Sequence, residues 1–149
     1  MRAVLAVVVG ALLLAGCGSD TKGKNDYVDK VNRAQSDFVA IVDDSTSRIT
    51  DNATDKDTAT QLDMIRAAAA KVVTELKAIK PPGEAKTLHG NLIREAEGLV
   101  TAFRKAADAY KSGEPSQILS AKVDLSKDVT KVNAQLNATI QALNEKLAG

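Results

Sequence analysis

Four stretches of this 149-residue chain place apolar residues at alternating steps of three and four, and Pro, Gly or short polar runs separate them. An α-helix turns once every 3.6 residues, so such steps gather side chains into a single stripe on one face. In the first stretch the stripe reads Val28, Val31, Ala34/Gln35, Phe38, Ile41/Val42, Ser45 and Ile49, with Asn25 or Asp26 suited to cap its start. On the opposite face Asp26 precedes Lys30 and Asp29 precedes Arg33 by four residues, the spacing of supporting helical ion pairs. A polar break, Thr50 to Asp57, follows. Thr58-Ala59-Thr60-Gln61 then matches a capping box and opens a second stripe, Leu62, Ile65, Ala69, Val72, Leu76 and Ile79. Pro81-Pro82-Gly83 stops that helix, and because each Pro disfavours the α conformation in the residue before it, Lys80 should be its last residue.

A third helix is expected from near Glu84, with the stripe Leu88, Leu92, Ala96, Leu99, Phe103, Ala106 and Tyr110. Gly113 suits the residue just past its end, and Pro115 suits the first position of a fourth helix. The fourth stripe is Ile118, Ala121, Leu125, Val129, Val132, Leu136, Ile140, Leu143 and Leu147. No stretch longer than a few residues alternates as a strand would. Each stripe needs an apolar partner, and short connections make consecutive helices antiparallel neighbours. The expected fold is therefore all-α, an antiparallel up-down four-helix bundle over residues 25–149. Its Ala-rich seams favour close helix approach over a roomy centre.

The chain begins differently. Arg2 is followed by an almost wholly apolar run from Ala3 to Ala15, which is signal-peptide length and too short to cross a bilayer of ~30 Å comfortably. The run ends Leu14-Ala15-Gly16-Cys17, with the chain's sole Cys last. These four residues resemble the lipobox of bacterial lipoproteins. That resemblance implies a signal peptide over 1–16, cleavage before Cys17, and a diacyl lipid on the Cys17 thiol. Two acyl chains hold a protein stably where one does so only marginally. The expected address is the extracytoplasmic face of a membrane, with the membrane as partner through the lipid and with an envelope protein as a further partner. Residues 17–24 read as the lipidated Cys and a flexible polar tether. Lys77-Ala78-Ile79-Lys80-Pro81-Pro82-Gly83 followed by Leu88-His89 resembles a turn in small helical lipoproteins and secreted proteins of high-GC Gram-positive bacteria, and reads physically as helix termination and a fixed hairpin.

Charge and composition narrow the function. Removal of Arg2 would leave 19 basic against 19 acidic residues, so neither nucleic acid nor anionic lipid is attracted by net charge. Two Tyr and two Phe give little aromatic surface for stacking. One Cys and one His cannot build a structural zinc site, and no metal is expected. Haem ligation by Met64 and His89 fails on reach, because the two sit at different heights from the Pro81 turn. A di-iron site needs two Glu-x-x-His motifs, and the chain has none. No cofactor is expected beyond the lipid.

His89, the only imidazole, sits beside the stripe with no obvious nucleophile and is expected to be solvated or at a helix end. The fourth stretch carries an amide row, Asn133, Asn137, Gln141 and Asn144, with Asn32 and Gln35 of the first stretch placed to face it. Amides both donate and accept, so this row is the candidate contact for a neutral polar ligand. The chain thus reads as a non-enzymatic interaction module of the cell envelope. The alternative is a small polar-ligand sensor or carrier using the amide row.

Overall fold

A computed structural model describes residues 21–148. Four helices pack into a bundle: α1 (Thr21–Arg48), α2 (Asp55–Ala78), α3 (Lys86–Ser112) and α4 (Pro115–Ala148), with one turn of 3-10 helix at Gly83–Ala85 before α3. There is no strand among the described residues. Residues 1–20, including Cys17 and the expected signal peptide, lie outside the described part.

The stripes are the core. Val28, Val31, Ala34, Phe38, Val42 and Ser45 are all buried on α1, as are Tyr27 and, just past its end, Ile49. Two apolar clusters form. One joins Phe38 and Val42 to Leu62 and Ile65 of α2, Leu99 and Phe103 of α3, and Leu125 and Val129 of α4. The other joins Val28 and Val31 to Leu76 of α2, Leu92 and Ala96 of α3, and Ile140 and Leu143 of α4. Val72 and Leu136 are half-buried and touch both clusters. A cavity of about 50 Å³ remains near their junction, lined by apolar side chains and Gln35. In backbone packing, α2 lies on α3, α3 on α4 and α1 on α2.

Several boundaries differ from the sequence reading, each for a local reason. α1 already includes Thr21–Lys24, which the sequence assigns to the tether. Lys24 holds this first turn: its Nζ donates to the Leu147 carbonyl at 3.3 Å and pairs with Glu84 at 3.3 Å. The capping box lies four residues earlier than expected. Thr54 is the cap, its Oγ1 accepting from the Asp57 backbone N–H at 3.1 Å, while Asp57 accepts from the Thr54 N–H at 3.2 Å. Thr58 and Ala59 lie inside α2 and are buried. α2 ends at Ala78 rather than Lys80, and Ile79 is extended, its N–H bonded back to the Leu76 carbonyl. The Pro pair thus unwinds one residue more than its immediate neighbour. Gly113 takes φ 70° and ends α3, as its position predicts.

The ion pairs also differ. Among the described residues neither Asp26–Lys30 nor Asp29–Arg33 closes. Charge instead links helices: Lys71 to Asp37 at 3.1 Å, Lys77 to Glu97 at 2.7 Å and Lys111 to Asp63 at 2.6 Å. Exposed pairs gain little over solvation, so side-chain reach decides which of them form.

Candidate functional site

Two polar constellations stand out, and the sequence foresaw neither in full. The first is centred on His89. It stands in the first turn of α3, one of its two expected places, but is buried, at 5% exposure, rather than solvated. The chain enters the core through Ala85 of the 3-10 turn and His89 and Leu92 of α3, while Leu88 is only half-buried. His89 turns inward, where two polar partners meet it. Its Nε2 lies 3.0 Å from the Leu76 carbonyl, which only accepts, so Nε2 carries the proton. Its Nδ1 then accepts from the Tyr27 hydroxyl at 3.2 Å. The two rings also meet edge to face, with centroids 5.6 Å apart. Burial holds the imidazole below its ordinary value, partly offset by the Leu76 carbonyl. Burial likewise pushes the Tyr27 hydroxyl up to about 12. The group is thus a neutral clasp joining α1, the end of α2 and the start of α3.

The second constellation lies between α3 and α4. A cleft of about 560 Å³ is lined by Arg94, Glu95 and Gly98 from α3 and by Asp128, Lys131 and Gln135 from α4. Glu95 is half-buried. One carboxyl oxygen accepts from the Thr139 hydroxyl at 2.8 Å; the other is buried with no hydrogen-bond partner among the described residues. Burial raises the affinity of this carboxyl for its proton, with Thr139 and Arg94 opposing. Gly98 sits against Val132, where an added Cβ would meet the valine methyl at 3.4 Å, an ordinary packing contact. Glu97 reaches out to Lys77, whereas Glu95, which no stripe or motif singles out, is drawn inward. The available signal was the small-residue ladder Gly98, Ala102 and Ala106, which marks a tight seam beside that carboxylate.

The amide row falls elsewhere. By the helical period it flanks the α4 stripe on the side away from the cleft. Asn137 and Gln141 are exposed, Asn133 and Asn144 half-buried. Gln141 bonds Glu145 at 3.3 Å, and Asn133, Asn137 and Asn144 each already make a polar contact, as do Asn32 and Gln35. Met64 is 44% exposed in the middle of α2, remote from the buried His89. Among the described residues no group of three His, Cys, Asp or Glu is placed to hold a metal ion, and no helix is long and apolar enough to cross a membrane.

Compared with known proteins, the chain matches no family model, no curated protein and no solved structure.

Proposed function

We propose that this protein is a lipid-anchored extracytoplasmic binding module that acts by association rather than turnover. The observation that carries the reading is the apolar run closed by Leu14-Ala15-Gly16-Cys17, which puts the sole thiol four residues before the first helix. Diacylation of Cys17 would moor the body on the outer membrane face, close to the turn where Lys24 meets Glu84 and Leu147. Its partner in this reading is an envelope protein.

The four helices in this reading run up and down, each antiparallel to the next. Two facts support that order. One apolar cluster draws on the start of α1, the end of α2, the start of α3 and the end of α4; the other draws on the opposite halves. The connections, Ile49 to Thr54, Ile79 to Pro82 and Gly113 to Glu114, are short.

Metabolic labelling with an alkyne fatty acid, followed by membrane fractionation, tests the anchor. The wild type should label and sediment with membranes; Cys17→Ser should do neither. An unlabelled wild type recovered at full length from the cytosol would overturn the reading.

A further inference from the structure

We infer that the α1/α4 face is where two copies of this chain meet, with α4 lying parallel to its counterpart about a two-fold axis.

Beside its core stripe, α4 carries a second row, Leu119, Val123, Ser126, Thr130, Asn133 and Asn137, at steps of four, three, four, three and four. That is the heptad spacing by which one helix lies along another. The row runs on through Gln141 to Asn144 and holds no charge, although charged residues make up 26% of the chain. Farther round the same helix the surface carries Asp124, Lys127, Asp128 and Lys131. Lys122, a neighbouring charge, is drawn over the Tyr110 ring. The row also holds two of the three large apolar side chains exposed among the described residues, Leu119 at 66% and Val123 at 47%.

The adjoining flank of α1 has the same character. Lys24 reaches Leu147 of α4 from that side of α1, and Asp37 reaches Lys71 of α2 from the other. By the helical period the α4 side of α1 therefore presents Asn32, Gln35, Val39 and Thr46, all half-buried and uncharged. α1 and α4 share almost no close backbone contact, unlike α1 with α2 or α3 with α4, so this seam is the loosest in the bundle.

The lack of charge selects the occupant. A two-fold axis sets each residue near its own counterpart, so a charged face would meet like charge. Amides and hydroxyls donate and accept, so they pair with copies of themselves, in addition to the contacts Asn133 and Asn137 already make. Parallel helices put Leu119 and Val123 against their own counterparts and amide against amide. Antiparallel helices would press the two apolar residues onto the amides. From Leu119 to Asn144 the row runs about 38 Å, and a strip two helices wide, about 20 Å, offers ~750 Å² per copy. A standard-size interface takes about 800 Å² per partner. Polar Thr130, Asn133 and Asn137 at heptad core positions fix the register at a cost in affinity, which sets the association in the micromolar range.

The pairing goes beyond the anchored-module reading and needs no lipid, so it is tested on the full chain carrying Cys17→Ser, in mild detergent. Sedimentation equilibrium should give a dimer with a Kd of about 1–100 μM. Adding Thr130→Glu, at an exposed position, sets like charges across the axis and should weaken the dimer at least about tenfold, with helicity by circular dichroism unchanged. Lys131→Glu, on the charged side of the same helix, should leave it as it was. A short bismaleimide should join two copies carrying Thr130→Cys and leave copies carrying Asp124→Cys apart. A chain still monomeric at about 100 μM, whether the face then takes another protein or nothing, would overturn the inference. So would a dimer indifferent to Thr130→Glu, or one joined as readily through Asp124→Cys. No readout uses the Cys17 thiol, so loss of the dimer and loss of the lipid anchor are told apart.

Discussion

At the scale of single residues, His89 is the clearest test of the structure. The imidazole makes two buried bonds: it donates to the Leu76 carbonyl and accepts from Tyr27. Truncation to Ala leaves both partners buried and opens a void. His89→Ala should therefore cost about 2–4 kcal/mol in urea denaturation near neutral pH. The pH dependence has a definite sign. In the unfolded chain the ring titrates near its ordinary value of about 6.5, whereas burial lowers it in the folded protein. The unfolded state thus takes the proton first, and stability falls as pH drops below about 6.5. Above that value the contribution is complete. His89→Gln should flatten this part of the stability–pH curve. The helix-end position of His89 was legible in the sequence and its burial was not. A hydropathy stripe ranks Leu88 above His89, and only the positions of Tyr27 and of the α2 terminus, 62 and 13 residues away, reverse that ranking.

At the scale of elements, the helices were legible and their ends only in part: α3 ends before Gly113 and α4 starts at Pro115 as expected, whereas the starts of α1 and α2 and the end of α2 differ. Periodicity over twenty or more residues is a redundant signal, and every stripe position named on α1 apart from the alternatives Gln35 and Ile41 is buried. A cap rests on one or two side chains, so nearby matches compete. Thr58-x-x-Gln61 fits the capping pattern by residue type, yet Thr54-x-x-Asp57 forms it, because packing claims Thr58 and Ala59 for the core. Thr54→Ala should cost about 1 kcal/mol and fray the first turn of α2, visible as faster amide exchange at Asp55 to Asp57. Exchange unchanged there would show that the cap is idle. Glu95 illustrates the other limit: its cleft is built from two helices, and the inward pull on one carboxylate belongs to the seam rather than to either stripe.

At the scale of the whole molecule, the two clusters share Val72 and Leu136, so neither is an independent unit. Phe103, with no exposed surface, is the largest fully buried side chain. Phe103→Ala should cost about 3–5 kcal/mol, and the loss should appear as one transition. The ring protons of His89, in the other half of the core, give a local NMR probe to set beside overall helicity. Coincident midpoints are expected; separate ones would mean that the halves melt independently. The bond from Lys24 to the Leu147 carbonyl has a consequence for topology. It holds the first turn of α1 against the last turn of α4, so the backbone is nearly a closed ring. A circularly permuted chain, spliced from residue 148 to residue 21 by a short linker and opened between Thr50 and Thr54, would keep all four helices and the same packed seams.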